Sequence, residues 1–370
     1  ALNAIPAALR PAPLVRLLGR RPVGLPPRLI TSFPRLGLAA NRRLRAAATP
    51  EQEFQAHLWI GPQFCRRVTE RGFGAAGALY AFSGAALEQL EVARARGLRT
   101  VLEQIIAPHR VLKRLLLEEA ARYPHWSPPH GLGSVFDRYI EREEAEWRAA
   151  DLIVCGSDFV RDGIAACGGP VERCVVVPYG VDHRFRMPPR PRHEGALRVL
   201  VVGEVGLRKG SPYVLEAARA LRGVAQVRMV GPTTLPGQVM SDLASDLDLL
   251  GPVPRSRIHE QFAWADVFLL PSLCEGSATV TYEALASGLP VVCTPNTGSV
   301  VRHGIEGLIV PPRDPQAIVE AVAALAGDRA VYEQMAAAAA DRAGFCTIEA
   351  YGERLLPALT EPRHPAALAS

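Results

Sequence analysis

Two glutamates, Glu275 and Glu283, close the stretch EGSATVTYE, which directly follows the apolar run DVFLLPSLC. The apolar run reads as a buried strand and the residues from Thr279 as a helix, so the acid and glycine stand at a strand-to-helix turn. The first N–H groups of a helix lack intrahelical partners and have the positive end of the dipole behind them. Those of Gly276, Ser277, Ala278 and Thr279 therefore make a seat for phosphate. Glu275, just before the seat, can hold sugar hydroxyls. Glu283, one turn beyond Thr279 on the same helix face, can take a ribose diol. The plainer alternative is a helix cap followed by a surface acid.

A second turn of the same kind lies in VVGEVGLRKGSPYVLEA, where a strand ends in glycine before a helix and carries Arg208 and Lys209. Lysine is scarce: Lys113 and Lys209 are the only two, against 40 arginines. A chain that otherwise uses arginine and places lysine here has reason to want a compact ammonium, which suits phosphate oxygens. A solvated loop lysine is the competing explanation.

Two motifs are decoys. GFGAAG (72–77) matches the dinucleotide fingerprint but follows a polar helical stretch and precedes a strand, the reverse of the order that fingerprint requires. Asp246 and Asp248 in DLD fall in an amphipathic helical pattern spanning GQVMSDLASDLDLL, where they would point in nearly opposite directions. Other Asp, Glu, His and Cys residues lack metal-ligand spacing, so no metal and no cofactor are expected. The seven cysteines include no CxxC pair and read as free thiols of a reducing compartment, hence a cytoplasmic protein.

The elements that hold these turns alternate along the chain. Strand-like ALYAFSG and LRTVLEQ, the helix VLKRLLLEEAARYP, a long acidic helix, and strand-like DLIVCGS and CVVVPYGVD make a first α/β half. HRFRMPPRPRHEG interrupts it with prolines and basic residues, and a second alternating set begins at LRVLVVGE. The expected organisation is an N-terminal Rossmann-like domain over 1–182, a linker over 183–196, a C-terminal domain over 197–345 and a last segment, 346–370, packing back on the first domain. Ligands of doubly wound sheets bind beyond the carboxyl ends of the strands, here in the cleft between the domains. Charge is uneven: residues 1–200 hold 29 basic and 19 acidic side chains, and the first fifty hold nine arginines and no acid. A basic half can meet anionic lipid or a phosphorylated acceptor, whereas no zinc-finger, RNA-recognition or basic-zipper pattern favours nucleic acid. No apolar run is long enough to span a bilayer, and no signal-peptide pattern is read in the given sequence.

Taken together, EREEAEWRAADLIVCGSDFVRDGI, VVVPYGVDHRF, VVGEVGLRKG, LLPSLCEGSATVTYEALASGLPVVCT and GIEGLIVPPRDP resemble the retaining GT-B glycosyltransferases of family 4, over roughly residues 140–326. The resemblance implies two doubly wound Rossmann-like domains and transfer of a sugar from a nucleotide diphosphate sugar to a saccharide or lipid-linked acceptor. The anomeric configuration would be retained without a catalytic metal, at the membrane's inner face where the acceptor is a lipid. By resemblance Glu275 contacts the donor sugar, Glu283 the ribose, and Arg208 and Lys209 the pyrophosphate. The histidine of the family that faces the reacting carbon is best matched by His109 in LEQIIAPH, with His125 and His130 as rivals. Glu204 stands where the family often has arginine, with Arg208 nearby to compensate. The family's opening strand, glycine-rich loop and helix are not visible at ALNAIPAALRPAP, which keeps open a nucleotide-sugar-binding protein without transferase activity. A GT-B epimerase or phosphorylase is the remaining rival.

Overall fold

The computed structural model describes residues 25–126, 131–188 and 191–360. Among the described residues, those up to Arg42 form a unit of their own, and those from Arg43 onward form a second. In the first, a 3-10 turn at Pro27–Leu29 precedes helix α1 (Pro34–Ala46), which buries no side chain.

Two parallel sheets make up the second unit. The first contains β1 (Ala78–Phe82), β2 (Arg99–Gln104), β3 (Leu152–Cys155) and β4 (Cys174–Val176) in that spatial order. Its helices are α2 (Pro50–Arg71), α3 (Leu87–Ala95), α4 (His109–Arg122), α5 (Ser134–Ala149) and α6 (Asp158–Ala166). Among the described residues this sheet progresses without reversal, so the double winding expected of both domains is seen in the second only. The helix expected from Val111 begins two residues earlier, at His109, and stops before Pro124, whose ring cannot continue it. GFGAAG lies between α2 and β1, the helix-then-strand order read from the sequence.

The second sheet comprises β5 (Leu197–Val202), β6 (Ala225–Val230), β7 (Asp248–Gly251), β8 (Val267–Leu270), β9 (Val291–Cys293) and β10 (Gly307–Ile309), ordered β10-β9-β8-β5-β6-β7. Helices α7 (Ser211–Ala220), α8 (Gly237–Ala244), α9 (Ile258–Trp264), α10 (Thr279–Ala286), α11 (Pro315–Gly327) and α12 (Arg329–Arg342) accompany it. Strand order reverses between β5 and β8, and such a switch point opens a crevice at the strands' carboxyl ends. The two turns singled out in the sequence follow these two strands. β8 is buried at every position, as its unbroken apolar run requires of a central parallel strand.

One segment departs from the sequence reading. GQVMSDLASDLDLL is not a single helix: α8 ends at Ala244 and Asp248–Gly251 form edge strand β7. Asp246 is drawn to Arg219 and Arg222, while Asp248 pairs with its register partner Arg228 on β6. Ladder hydrogen bonds and a cross-strand ion pair outweigh the helical periodicity. Both aspartates serve arginines.

In the 183–196 stretch, two residues pack on the second sheet's elements. Phe185 is fully buried against Phe262, and Met187 N–H bonds Ala286 O. Helix α13 (Ile348–Thr360) lies on the first sheet, with Tyr351 and Leu355 against the cluster of Val101, Leu152, Val154 and Val177. The domains meet through a small apolar cluster of Ala107, Leu112, Phe136, Ile140 and Cys274. A polar clasp adds to it: Arg313 pairs with Glu118 and Glu119 of α4, and Tyr213 donates to Glu119 at 2.6 Å. No described helix is long and apolar enough to cross a membrane.

Candidate active site

The turn after β5 and the turn after β8 are bound to each other. Leu273 N–H reaches Arg208 O at 2.9 Å, and the Arg208 guanidinium donates to Cys274 O at 3.2 Å. Glu275 therefore arrives beside both cations, and its Oε1 lies 2.8 Å from Arg208 Nη1 and 2.7 Å from Lys209 Nζ. Lys209 is buried, and its stem passes over Gly203, where an added Cβ would stand 2.6 Å from Lys209 Cε. The slot fits a slim alkyl stem, which explains lysine in a chain built on arginine.

Burial pushes the Glu275 carboxyl up, but Lys209 and Arg208 outweigh it and hold the group below the usual carboxylate range. Burial, helped by the Arg208 charge, lowers the Lys209 ammonium against the pull of Glu275. Two cations thus share one carboxylate.

An open cavity of about 500 Å³ faces this cluster. Arg208, Lys209, Glu275 and the 276–280 backbone line one side, and His109, Ser83 and Tyr139 of the first domain line the other. The N–H groups of Gly276, Ser277 and Thr279 have no protein partner among the described residues, as a phosphate seat requires. The expectation for Ala278 fails: its N–H is taken by Thr297 O at 2.9 Å, because the 3-10 turn at Pro295–Thr297 packs under the helix start. The Ser277 hydroxyl is also engaged, with Tyr282 and with Gly298 O, leaving that residue only its backbone donor.

Glu283 is not brought to this cavity. It lies fully buried on the second turn of α10, with Oε1 2.6 Å from Arg255 and Oε2 without a protein partner. Burial pushes its carboxyl up, against the charge of Arg255. Arg255 had no signal in the sequence, since it approaches from the loop after β7. Among the histidines, His109 reaches the cavity wall, His125 is exposed in a loop, and His130 lies outside the described residues. Glu204 is exposed and lines a neighbouring cavity with Arg208 and Lys209.

Gly276 sets the width of the cleft. A Cβ there would overlap the carbonyl oxygen of Ile105, at the end of β2 in the opposite domain. Overpacking of this kind costs about 1–3 kcal/mol. Gly276→Ala is expected to prop the domains apart, lowering turnover at least about tenfold while the far-ultraviolet circular dichroism is unchanged. Small-angle scattering that matches wild type, with full turnover, would contradict this.

With this geometry in view, residues 196–328 match the family model described as Glycosyl transferases group 1. The match covers less than half of the chain. The chain is 30% identical to the amylovoran biosynthesis glycosyltransferase AmsK of Erwinia amylovora over 180 residues, 44% of each chain. It is 30% identical to the putative colanic acid biosynthesis glycosyltransferase WcaL of Escherichia coli over 213 residues, 52% of each. The chain thus spans about half the length of the curated relatives it matches. Among solved structures, Anabaena HepE in complex with UDP superposes with a TM-score of 0.59 at 17% identity, covering 81% of this chain and 82% of that one. The fold is GT-B, two parallel-sheet domains facing across a cleft. The matched segment includes both turns, hence Arg208, Lys209, Glu275 and Glu283; His109 lies outside it.

Proposed function

We propose that the chain moves a sugar from a nucleoside diphosphate sugar to the hydroxyl of a saccharide or lipid-linked acceptor, with retention of anomeric configuration. One observation carries this reading. Arg208 and Lys209 from one strand-to-helix turn, and Glu275 with free N–H groups from another, converge at the switch point and face His109 across the cleft. The names of AmsK and WcaL, both polysaccharide biosynthesis glycosyltransferases, support it.

The chemistry follows from the charges. The bond from the anomeric carbon to the diphosphate oxygen breaks, and its electron pair leaves with the diphosphate. Lys209, Arg208 and the N–H groups of Gly276, Ser277 and Thr279 receive that negative charge in preorganised positions. The acceptor oxygen bonds to the same face of the carbon, and its proton passes to the departing phosphate oxygen. Glu275, released from its cations as they turn to phosphate, holds the sugar hydroxyls. Position and charge are what the protein supplies. Glu283 takes the ribose only if Arg255 gives up its carboxylate and the packing around it opens, since both of its oxygens are buried away from the cavity.

The test is incubation with a panel of nucleoside diphosphate sugars, with and without saccharide acceptors, followed by detection of released nucleoside diphosphate and of product stereochemistry. Tight binding without turnover of any donor would favour a binding protein instead. Since cationic side chains supply the charge that a metal otherwise supplies, turnover is expected to be unchanged in excess EDTA; loss on chelation with recovery on Mn²⁺ would count against this site. The acid-free first fifty residues support a further, peripheral contact. Weak, salt-sensitive co-sedimentation with anionic vesicles but not neutral ones is expected, at about 1 kcal/mol per basic residue near the surface. Equal behaviour of the two vesicles would refute it.

A further inference from the structure

We propose that Glu143 is a positioning residue that fixes the tautomer of His109 and leaves Nε2 as a hydrogen-bond acceptor facing the cleft; its use in catalysis rests on the function proposed above. The argument runs along a chain of buried groups whose polarity is forced at one end. Trp147 is fully buried and its indole N–H can only donate, here to Gln104 Oε1 at 2.9 Å. That sets the Gln104 amide, so its Nε2 donates to Ile106 O at 2.9 Å and to Glu143 Oε1 at 2.7 Å. The backbone N–H of His109, also donor only, reaches Glu143 Oε2 at 2.8 Å. Both carboxylate oxygens therefore meet donors, and Glu143, itself buried, acts as an acceptor only.

His109 Nδ1 lies 2.8 Å from Glu143 Oε1 and must carry a hydrogen. In the neutral ring Nε2 then keeps its lone pair. No protein group bonds Nε2 among the described residues, and the ring lines the cavity that holds Lys209 and Glu275. Tyr139, Phe136 and Phe54 stand around it with ring centroids 4.8, 5.7 and 6.2 Å away, which limits its rotation. The same carboxylate serves α4, whose N-cap residue, Pro108, has no capping side chain. One acid thus starts the helix and aims the ring at its first position. A lone pair presented there accepts from a sugar hydroxyl, where an Nε2–H would donate.

The test needs no transfer assay for its first arm. Wild-type protein labelled with ¹⁵N-histidine is examined above the histidine titration range by long-range ¹H–¹⁵N correlation, with His109 identified by its loss in His109→Gln. Nδ1–H is the expected tautomer, and a wild-type Nε2–H pattern overturns the proposal whatever the variants do. In Glu143→Met, Nδ1 loses its acceptor and the ring should turn to Nε2–H, with kcat/KM down about 10²-fold and nucleoside diphosphate affinity within twofold of wild type. Should that variant not fold, Glu143→Gln keeps the shape but its amide can no longer accept at both oxygen positions, so Nδ1–H should cease to be the sole tautomer. An unaltered Nδ1–H pattern in every folded variant overturns the proposal. Absence of turnover in wild type defeats the functional reading and leaves the tautomer result standing.

Discussion

Glu275→Gln is expected to lower kcat by about 10²–10³-fold, the loss that follows removal of one preorganised transition-state contact. The same substitution frees Lys209 and Arg208 from the carboxylate that joins them. Affinity for nucleoside diphosphate should therefore hold or rise while turnover collapses. That opposite movement separates loss of chemistry from loss of structure, which would reduce both. Titration calorimetry beside steady-state kinetics is the measurement. Full turnover, or parallel loss of turnover and affinity, would remove Glu275 from its role.

Lys209→Ala should cost roughly 10- to 150-fold in affinity for nucleoside diphosphate, the equivalent of about 1.5–3 kcal/mol for a charge-assisted contact, with little effect on the nucleoside. Glu283→Ala should show the other bias and weaken both ligands alike, because the ribose is common to them. Equal losses for nucleoside and diphosphate in Lys209→Ala would mean that the ammonium does not meet phosphate. The variant also has a pH signature. With Lys209 and Arg208 beside it, Glu275 has a folded pKa below its ordinary 4.5, so its contribution to stability is present above that value and fades as pH falls through the depressed one. Without Lys209 that contribution shrinks, and acid unfolding should begin at higher pH than in wild type.

Much of this was legible in the linear chain. Alternating apolar runs and helical patterns encode two α/β halves, because strands buried on both faces must read as continuous apolar runs. The cation pair at 208–209 and the acid at 275 were readable because each sits within a few residues of the strand end that presents it. What the sequence could not contain is the meeting of elements distant in it. Asp248 went to an edge strand because β6 offered a ladder and Arg228, a partner that periodicity does not see. The Ala278 N–H and the Ser277 hydroxyl were spent on Thr297, Tyr282 and Gly298, two of them on the turn that packs beneath the helix start. Glu283 was drawn to Arg255 from the loop after β7.

Local pattern determined which residues stand at strand ends, and therefore which can do chemistry. The tertiary structure alone decided which of their donors and acceptors remain free, since a buried polar group binds whatever the packing brings within reach. His109 shows both halves of this. Its place after β2 was legible, but the orientation of its ring depends on Glu143, Gln104 and Trp147, and only the packing of α5 against β2 and the start of α4 brings those three together.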